Sequence, residues 1–462
     1  MSPLTATAAR KVAVVGVALS DCGRVDVTSP GGGTPYALHA QAARRALADS
    51  GLDRSVIDGF ASAGLGTLPP VEVAEYLGLR PTWTDSTAVG GATWEVMAAH
   101  AADAIAAGHA NAVLLVYGST ARADLKAGRR TANLALGARG PLQFEAPYGH
   151  TLVAKYAMAA RRHMHQYGTT LEQLAEVAVQ ARANAARNPE AMHRTPITVD
   201  DVLSGPMIAD PFTKLHCCIR SDGGCAVLLA AEEYVPDTTK APVWVLGTGE
   251  ALSHSAMSEW EDFTVSPAAV SGRLAFARAG VRPDDIDLAE IYDAFTYMTL
   301  VTLEDLGFCP KGDGGAFVEN GRLLRDGALP VNTDGGGLSA CHPGMRGLFL
   351  LVEAVRQLRG EAGERQVRKQ AKTGTARDSR AGAADADRRD TARPNTDRPD
   401  SDGPGTEGPG TEGLGTDGPG TNRPGTEGPD AARPRCRLPE LAVVSGTGGW
   451  FCSSGTVILG RA

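Results

Sequence analysis

Two stretches of the chain share one order of hydrophobic and polar positions. The first begins with the apolar run at 11–20 and continues into an alanine-rich pattern at 37–60. The second begins with the apolar run at 243–253 and continues into a similar pattern at 268–295. Short Val-rich runs are typical of buried strands, and apolar residues three or four positions apart are typical of helices. The pattern therefore predicts a strand–helix unit that occurs twice.

A second pair of related stretches follows the first. Residues 90–119 carry two glycines, then a helical pattern, then an apolar run that predicts a strand. Residues 335–360 repeat the glycines and the helical pattern, and the matching apolar run is displaced to 441–449. Strands that alternate with helices in two related halves predict an α/β protein with mixed sheets.

The repeat gives the expected domain boundaries. The N-terminal half covers residues 10–235, and the C-terminal half covers 241–367 together with 436–462. Residues 120–205 match neither repeat and carry two further helical patterns. We expect this segment to be a loop excursion that covers one face of the N-terminal half.

Residues 368–435 differ in composition from the rest of the chain. They contain no aromatic side chain, 12 glycines, 8 prolines and a five-residue repeat that begins with GPGTE at 403–407. Such a segment has too little apolar surface to offset its chain entropy. We therefore predict a disordered insertion in a loop between a helix and a strand, where added length costs little free energy.

Charge and cysteine content narrow the class of protein. The chain has 45 Lys+Arg and 53 Asp+Glu, a net charge of -8, which disfavours nucleic-acid binding because phosphates require clustered basic residues. It has no apolar run of 18 or more residues, so no membrane span is expected. The eight cysteines lack paired C-x-x-C spacing. We expect free thiols, no metal site and a cytoplasmic location.

Several motifs, taken together, resemble the thiolase superfamily. They are the two halves, the Gly-Gly pair before a central helix, and the sequences DPFTKLHCCIRSDGG (210–224), IYDAF (291–295), NTDGGGLSACHPGMRG (332–347) and VVSGTGG (443–449). The chain is most similar to the lipid-transfer-protein or sterol-carrier-protein thiolase branch. The resemblance covers residues 10–367 and 436–462. It implies a thiolase fold with five αβαβα layers, a coenzyme A thioester as the substrate, no further cofactor and a homodimer.

The sequence departs from the thiolase pattern at both reactive cysteines. Val89 or Gly90 occupies the position of the nucleophilic cysteine that family members carry before the first central helix. Gly446 aligns with the second family cysteine. The family's Gly-His-Pro histidine is retained as His342, although Cys341 replaces the glycine before it. Valine and glycine cannot form a thioester, so thiolysis through an acyl-enzyme is not expected.

The retained residues suggest a different use of the fold. We predict an oxyanion hole in which His342 donates a hydrogen bond, together with backbone N–H groups at Val89, Gly90 and Gly448. Tyr292 opens the Tyr-Asp-Ala-Phe motif in place of the family's Asn or His. Its hydroxyl, with an ordinary pKa of about 10, can donate a hydrogen bond or act as an acid or base.

An oxyanion hole and a proton-transfer group are sufficient for aldol or retro-aldol chemistry beside a thioester. We therefore expect an enzyme that makes or breaks a carbon–carbon bond in a bulky lipid or steroid-type acyl-CoA. Two alternatives stay open: an acetyl-CoA acetyltransferase or 3-ketoacyl-CoA thiolase with an unconventional nucleophile, and a non-catalytic acyl-CoA carrier or assembly subunit. The resemblance also implies a heteromer with a small OB-fold and zinc-ribbon protein.

Overall fold

The computed structural model describes residues 9–26, 33–128, 143–149, 151–370 and 436–461. The strands in these ranges are β1 (Val12–Leu19), β2 (Gly59–Ala61), β3 (Trp83–Asp85), β4 (Ala112–Ser119), β5 (Met207–Ala209), β6 (Phe212–Thr213), β7 (Gly223–Ala231), β8 (Val243–Leu252), β9 (Leu288–Ile291), β10 (Lys369–Gln370), β11 (Cys436–Arg437), β12 (Leu441–Gly448) and β13 (Ser453–Arg461).

The α-helices are interspersed between the strands, as the alternating pattern predicts. They are α1 (Pro35–Ser50), α2 (Pro69–Leu77), α3 (Thr93–Ala106), α4 (Ala121–Lys126), α5 (Leu152–Tyr167), α6 (Leu171–Ala186), α7 (Val199–Leu203), α8 (Ala268–Ala279), α9 (Thr296–Asp305), α10 (Gly314–Phe317) and α11 (Gly347–Arg359). Helices α5 and α6 are those expected in the excursion at 120–205. Within that excursion, residues 129–142 and 150 lie outside the described residues.

The described strands form one large mixed sheet in the order β3-β2-β4-β7-β1-β8-β13-β12-β9. The first five strands belong to the N-terminal half and the last four to the C-terminal half. Strands β1 and β8 join the halves through two antiparallel residue pairs, Ala13 with Trp244 and Val14 with Val243. This short pairing makes the strands of the two halves one continuous sheet.

Helices α3 and α11 lie between the two halves. Each contacts strands of both: α3 packs on β4 and β7 as well as β12 and β13, and α11 packs on β1 and β7 as well as β9 and β12. The central core includes Trp94 and Met97 of α3 and Phe349 of α11. Helix α1 covers the outer face of the first half and α8 that of the second. These layers follow the predicted αβαβα order.

Equivalent glycines allow the outer helices to approach the sheet in both halves. A Cβ atom at Gly16 of β1 would collide with the backbone oxygen of Ala46 in α1. A Cβ atom at Gly247 of β8 would collide in the same way with the backbone oxygen of Ala275 in α8. The internal repeat read from the sequence thus corresponds to a repeated close contact between strand and helix.

The ends of the predicted insertion lie next to each other. Strand β10, at Lys369–Gln370, pairs with β11, at Cys436–Arg437. The first three residues of the predicted insertion, 368–370, are thus among the described residues. Of the segment 368–435 that is predicted to be disordered, residues 371–435 lie outside the described residues. The described residues up to Lys369 and from Cys436 onward belong to one compact unit that includes both halves.

The helices also bear on the expectation that the chain has no membrane span. Within the described ranges, no helix is both long enough and apolar enough to cross a bilayer.

Candidate active site

Two glycine-containing turns meet at the centre of the molecule. One is a short 3₁₀ turn, Gly90–Ala92, that precedes α3. The other begins at Gly448, the last residue of β12, and continues through Gly449. A Cβ atom at Gly90 would lie 2.7 Å from the backbone nitrogen of Gly449. Both turns can approach this closely because neither carries a side chain there. The three predicted backbone positions, Val89, Gly90 and Gly448, are therefore brought together.

The backbone groups of Val89 already have intramolecular partners. Its N–H donates a hydrogen bond to Thr93 Oγ1 at 3.0 Å, and its carbonyl accepts one from Ser453 Oγ at 2.6 Å. The expectation that the Val89 N–H points at a substrate oxygen is therefore corrected, because Thr93 at the start of α3 takes that donor. Any oxyanion contact from this turn has to come from the glycines that follow it.

Tyr292 lies directly beneath the first turn. Its position follows the end of β9, where its N–H donates to the Ser445 carbonyl at 2.9 Å. The ring is so close to Gly91 that a Cβ atom there would lie 2.5 Å from it. Burial raises the pKa of the Tyr292 hydroxyl well above 10, although a hydrogen bond from the Arg346 backbone opposes this shift. The hydroxyl is therefore protonated at neutral pH.

His342 faces Tyr292 edge-on, with 5.6 Å between ring centroids and 86° between ring planes. It follows a π-helical turn, Gly336–Ala340, and its N–H donates to Ser221 Oγ at 2.8 Å. Its Nε2 has no hydrogen-bond partner within the described ranges. Burial, reinforced by the charge of Arg346, lowers the pKa of His342 to about 4. The imidazole is therefore neutral at pH 7, with a ring nitrogen available for a ligand.

A fully buried arginine supports the segment that carries His342. Arg346 Nη2 donates to both carboxylate oxygens of Asp334, at 2.6 and 2.7 Å, and Nη1 donates to the Cys341 carbonyl at 2.8 Å. Asp293 lies 3.6 Å from Arg346 Nε and accepts the N–H of Gly337 at 2.6 Å. These contacts fix the turn before His342 from three directions.

The two carboxyl groups near Arg346, those of Asp293 and Asp334, have pKa values shifted in opposite directions. Burial raises the pKa of Asp293 to about 7, and the attraction of Arg346 and two backbone N–H groups limits that rise. Burial also opposes ionisation of Asp334, but the charge and hydrogen bonds of Arg346 lower its pKa overall. Asp334 is thus the charged partner of Arg346, and Asp293 titrates near neutrality.

Glu95, the third residue of α3, lies at the site but is not among the residues predicted from the sequence. Its side chain is fully buried, and neither carboxylate oxygen has a hydrogen-bond partner in the described part of the chain. Glycines surround it: a Cβ atom at Gly347 would lie 2.5 Å from a carboxylate oxygen, and one at Gly446 would collide with it. Burial raises the pKa of Glu95 to about 8. A lone glutamate among the apolar residues of the α3 pattern was the available signal.

Comparisons with known proteins agree with this architecture. Residues 249–384 match the family model described as thiolase C-terminal domain-like. The 17-hydroxy-3-oxo-4-pregnene-20-carboxyl-CoA lyase of Mycobacterium tuberculosis is 32% identical over 361 residues, which are 76% of this chain and 92% of that protein. The chain belongs to the thiolase superfamily. The sequence-based assignment and the thiolase fold class are thereby confirmed.

Two further proteins are similar to this thiolase-superfamily chain, one in sequence and one in fold. The acetyl-CoA acetyltransferase of Methanothermobacter thermautotrophicus is 43% identical over 227 residues, 49% of this chain and 59% of that protein. The solved structure of an Ltp2-ChsH2(DUF35) aldolase has a TM-score of 0.75 and 24% identity, covering 98% of this chain and 99% of that one. The structural likeness concerns the fold.

Proposed function

We propose that this thiolase-superfamily enzyme breaks or forms a carbon–carbon bond next to the thioester of a bulky acyl-CoA by an aldol or retro-aldol route. One observation carries the proposal. The two turns that meet at the site carry Val89, Gly90 and Gly448, none of which can hold an acyl group, yet His342 and Tyr292 face each other beside them. The site thus has groups that act on an enolate and none that would form an acyl-enzyme at the family's position.

His342 is the proposed hydrogen-bond donor to the thioester oxygen. In the retro-aldol direction, the electrons of the breaking bond move onto the thioester and produce an enolate. A buried donor aimed at the position where this charge develops stabilises the transition state more than the substrate. A neutral imidazole suits this role, because its N–H can donate without giving up a proton to the enolate oxygen. The pKa of about 4 keeps His342 neutral.

Tyr292 is the proposed proton carrier. In the cleavage direction a β-hydroxyacyl-CoA loses its hydroxyl proton, the bond between the α and β carbons breaks, and the α carbon gains a proton. Tyr292 can accept the hydroxyl proton while passing its own proton to the α carbon, which leaves its phenol unchanged overall. The products are a ketone or aldehyde and a shortened acyl-CoA. Because the pKa of Tyr292 is raised, we favour this relay over a stable phenolate base.

The substrate class and the partners are also part of the proposal. The mycobacterial relative is named as a lyase of a pregnene carboxyl-CoA, and this chain covers 92% of its length. This similarity supports a steroid-type or other bulky lipid acyl-CoA. The aldolase of the solved structure carries ChsH2(DUF35) in its name as a second component, which supports a heteromer with a small OB-fold and zinc-ribbon protein. A homodimer, with coenzyme A thioester as substrate and no further cofactor, remains our expectation.

The proposal is tested by product analysis. The enzyme, with and without small proteins encoded beside it, is incubated with β-hydroxyacyl-CoA substrates that carry bulky acyl groups. We expect a ketone and a shortened acyl-CoA in equal amounts by liquid chromatography and mass spectrometry. His342→Ala should lower the turnover by about 10²- to 10³-fold, the usual effect of removing one oxyanion-hole donor.

The matched control is His165→Ala, a histidine on the exposed side of α5. This variant should retain the wild-type rate. Full activity of the His342→Ala variant would overturn the assignment of His342. Acyl-CoA binding without turnover, in every combination of partner and substrate, would favour the carrier alternative.

The acetyltransferase alternative is favoured by one relative and one nearby thiol. The archaeal relative is named as an acetyl-CoA acetyltransferase. The Sγ of Cys452 lies beside the second turn, 2.7 Å from the point where a Cβ atom of Gly449 would be. Burial raises the pKa of Cys452 to about 11, which disfavours a thiolate nucleophile. A trapped acyl group on Cys452, detected by peptide mass spectrometry, would overturn the aldol proposal.

A further inference from the structure

Two cysteines that are 319 positions apart in the chain meet next to His342. The side chains of Cys22 and Cys341 lie close together, and their interaction raises the pKa of Cys22 and lowers the pKa of Cys341. Gly223 leaves the space in which they meet: a Cβ atom there would lie 2.7 Å from Cys22 Sγ and 3.3 Å from Cys341 Sγ. All eight cysteines lie in the described ranges, and none of them forms a disulfide there.

The backbone on either side holds both thiols in place. Gly23, the residue after Cys22, exchanges two backbone hydrogen bonds with Asp222, at 2.8 and 2.9 Å. Ser221 exchanges two with His342: its Oγ accepts the His342 N–H at 2.8 Å, and its N–H donates to the His342 carbonyl at 3.3 Å. The segments that carry Cys22 and Cys341 are therefore hydrogen-bonded to Asp222 and Ser221, the two residues that precede β7.

Cys341 shares a partner with the proposed catalytic histidine. Its Sγ lies 3.1 Å from Ser221 Oγ, the same atom that accepts the His342 N–H. The hydrogen bond from Cys22 lowers the pKa of Cys341, burial opposes this, and Ser221 and Arg346 support it. Cys341 is buried, whereas Cys22 is only half-buried.

We propose that Cys22 and Cys341 are an oxidisable pair, in which a peroxide converts the two thiols into a disulfide that displaces His342. The proposal adds a covalent modification site to this chain. Three observations support it: the two sulfurs lie close together, backbone hydrogen bonds hold both segments in place, and Ser221 contacts both Cys341 and His342.

The reaction balances with hydrogen peroxide as the oxidant. The Cys341 thiolate attacks one peroxide oxygen, and after uptake of one proton it becomes a sulfenic acid with release of one water. The Cys22 thiol then attacks the sulfenic sulfur, and a second water leaves. The two thiols together lose two protons and two electrons, and the peroxide takes up both and is reduced to two waters.

The disulfide has a direct structural consequence. A sulfur–sulfur bond of about 2.05 Å is much shorter than a contact between two thiols, so at least one sulfur must move toward the other. Movement of Cys341 Sγ breaks its contact with Ser221 Oγ. His342 is the next residue and depends on the same oxygen. We therefore expect oxidation to shift His342 relative to Tyr292.

The experiment uses the full chain, treated with hydrogen peroxide or left reduced. Free thiols are then alkylated, and the digested protein is analysed without reduction. The expected result is one cross-linked peptide pair containing Cys22 and Cys341. Hydrogen exchange of residues 335–347 should change on oxidation. The proposed retro-aldol activity should fall by up to about a hundredfold, as expected for a small displacement of a catalytic group, and should return with dithiothreitol.

Variants separate this pair from other thiol oxidation. Cys22→Ser should keep its reduced-state activity and should resist peroxide. Cys436→Ser removes an exposed thiol and should respond to peroxide as the wild type does. If Cys22→Ser folds poorly, Cys22→Ala and the wild-type peptide map remain informative.

Two results would overturn the proposal. One is full alkylation of Cys22 and Cys341 after peroxide treatment under conditions that oxidise Cys436. The other is a formed disulfide with unchanged hydrogen exchange at 335–347. Neither readout depends on turnover, so failure of the pair is distinguishable from failure of the retro-aldol proposal.

Discussion

The N-terminal ends of α3 and α11 differ in how a buried ionisable side chain is accommodated. Both helices occupy the central layer, and each has an ionisable side chain fully buried near its N-terminus. Arg346, immediately before α11, has Asp334 and Asp293 within 2.6 and 3.6 Å. Glu95, in α3, has no hydrogen-bond partner in the part of the chain that the structure describes.

The difference shows what a buried charge requires. Burial alone would disfavour the Arg346 cation, but the two nearby carboxyls more than offset this and raise its pKa. Burial raises the pKa of Glu95 to about 8, because only its own backbone N–H opposes this rise, and Glu95 stays mostly protonated at neutral pH. The His342 side of the site is thus held by charges, and the Val89 side is held by packing around a neutral acid.

The largest effect is expected for Arg346→Gln. Glutamine removes the cation and leaves two buried carboxyls without their partner, and the turn before His342 also loses a hydrogen bond to the Cys341 carbonyl. The free energy of unfolding should fall by about 3–5 kcal/mol, the usual loss when one member of a buried ion pair is removed. Urea unfolding at pH 7, followed by circular dichroism, measures it.

Arg356→Gln, within α11, is the matched control. Arg356 pairs with Glu190 at 2.7 Å, but both side chains are partly exposed. Solvent screens such a pair, so its loss should cost less than about 1 kcal/mol. Equal losses in the two variants would show that the burial of Arg346 has no special consequence and would remove the contrast with Glu95.

The next largest effect is a pH dependence of the free energy of unfolding that is caused by Glu95. Its pKa is about 8 in the folded protein and 4.5 in the unfolded chain, so the folded state binds the extra proton between these values. Unfolding therefore becomes easier as the pH rises, by up to about 1.4 kcal/mol per pH unit. Glu95→Gln removes the ionisation. Relative to wild type, it should gain about 3 kcal/mol between pH 5 and pH 7.5, measured by urea unfolding across that range.

Glu172→Gln supplies the comparison for this titration. Glu172 is an exposed carboxylate in the first turn of α6. Its variant should follow the wild-type dependence on pH. Parallel stability profiles for Glu95→Gln and wild type would mean that Glu95 finds a partner in solution, and the proposed asymmetry between the two helices would be wrong.

The duplicated fold could be read from the sequence because its signal is periodic. The apolar runs at 11–20 and 243–253 became β1 and β8, and the glycine-led patterns became α3 and α11. The joining of the two sheets was not foreseen. It depends on two residue pairs between β1 and β8, and periodicity contains no information on which strands become neighbours.

The candidate site was predictable only in part. The resemblance to thiolase motifs pointed to His342 and Tyr292, and the structure brings their rings together. It did not identify the hydrogen bond that occupies the Val89 N–H, because that bond depends on the rotamer of Thr93. Glu95 and the Cys22–Cys341 contact were missed for a related reason. Each depends on which distant residues surround a side chain, and the linear pattern does not specify this.

The smallest effect is expected for Gly91→Ala, which tests the close packing of the turn before α3. An added Cβ atom at Gly91 would lie 2.5 Å from the Tyr292 ring and would collide with the Thr447 carbonyl. Gly91→Ala should therefore lower the free energy of unfolding by about 1–3 kcal/mol through overpacking, and should also slow the proposed cleavage by moving Tyr292. In Gly205→Ala the nearest atom to the new carbon is the Val202 oxygen at 3.3 Å, so a smaller change is expected. If Gly91→Ala loses stability but not activity, in urea unfolding and product assays, then Tyr292 packs beneath the turn without carrying the proton.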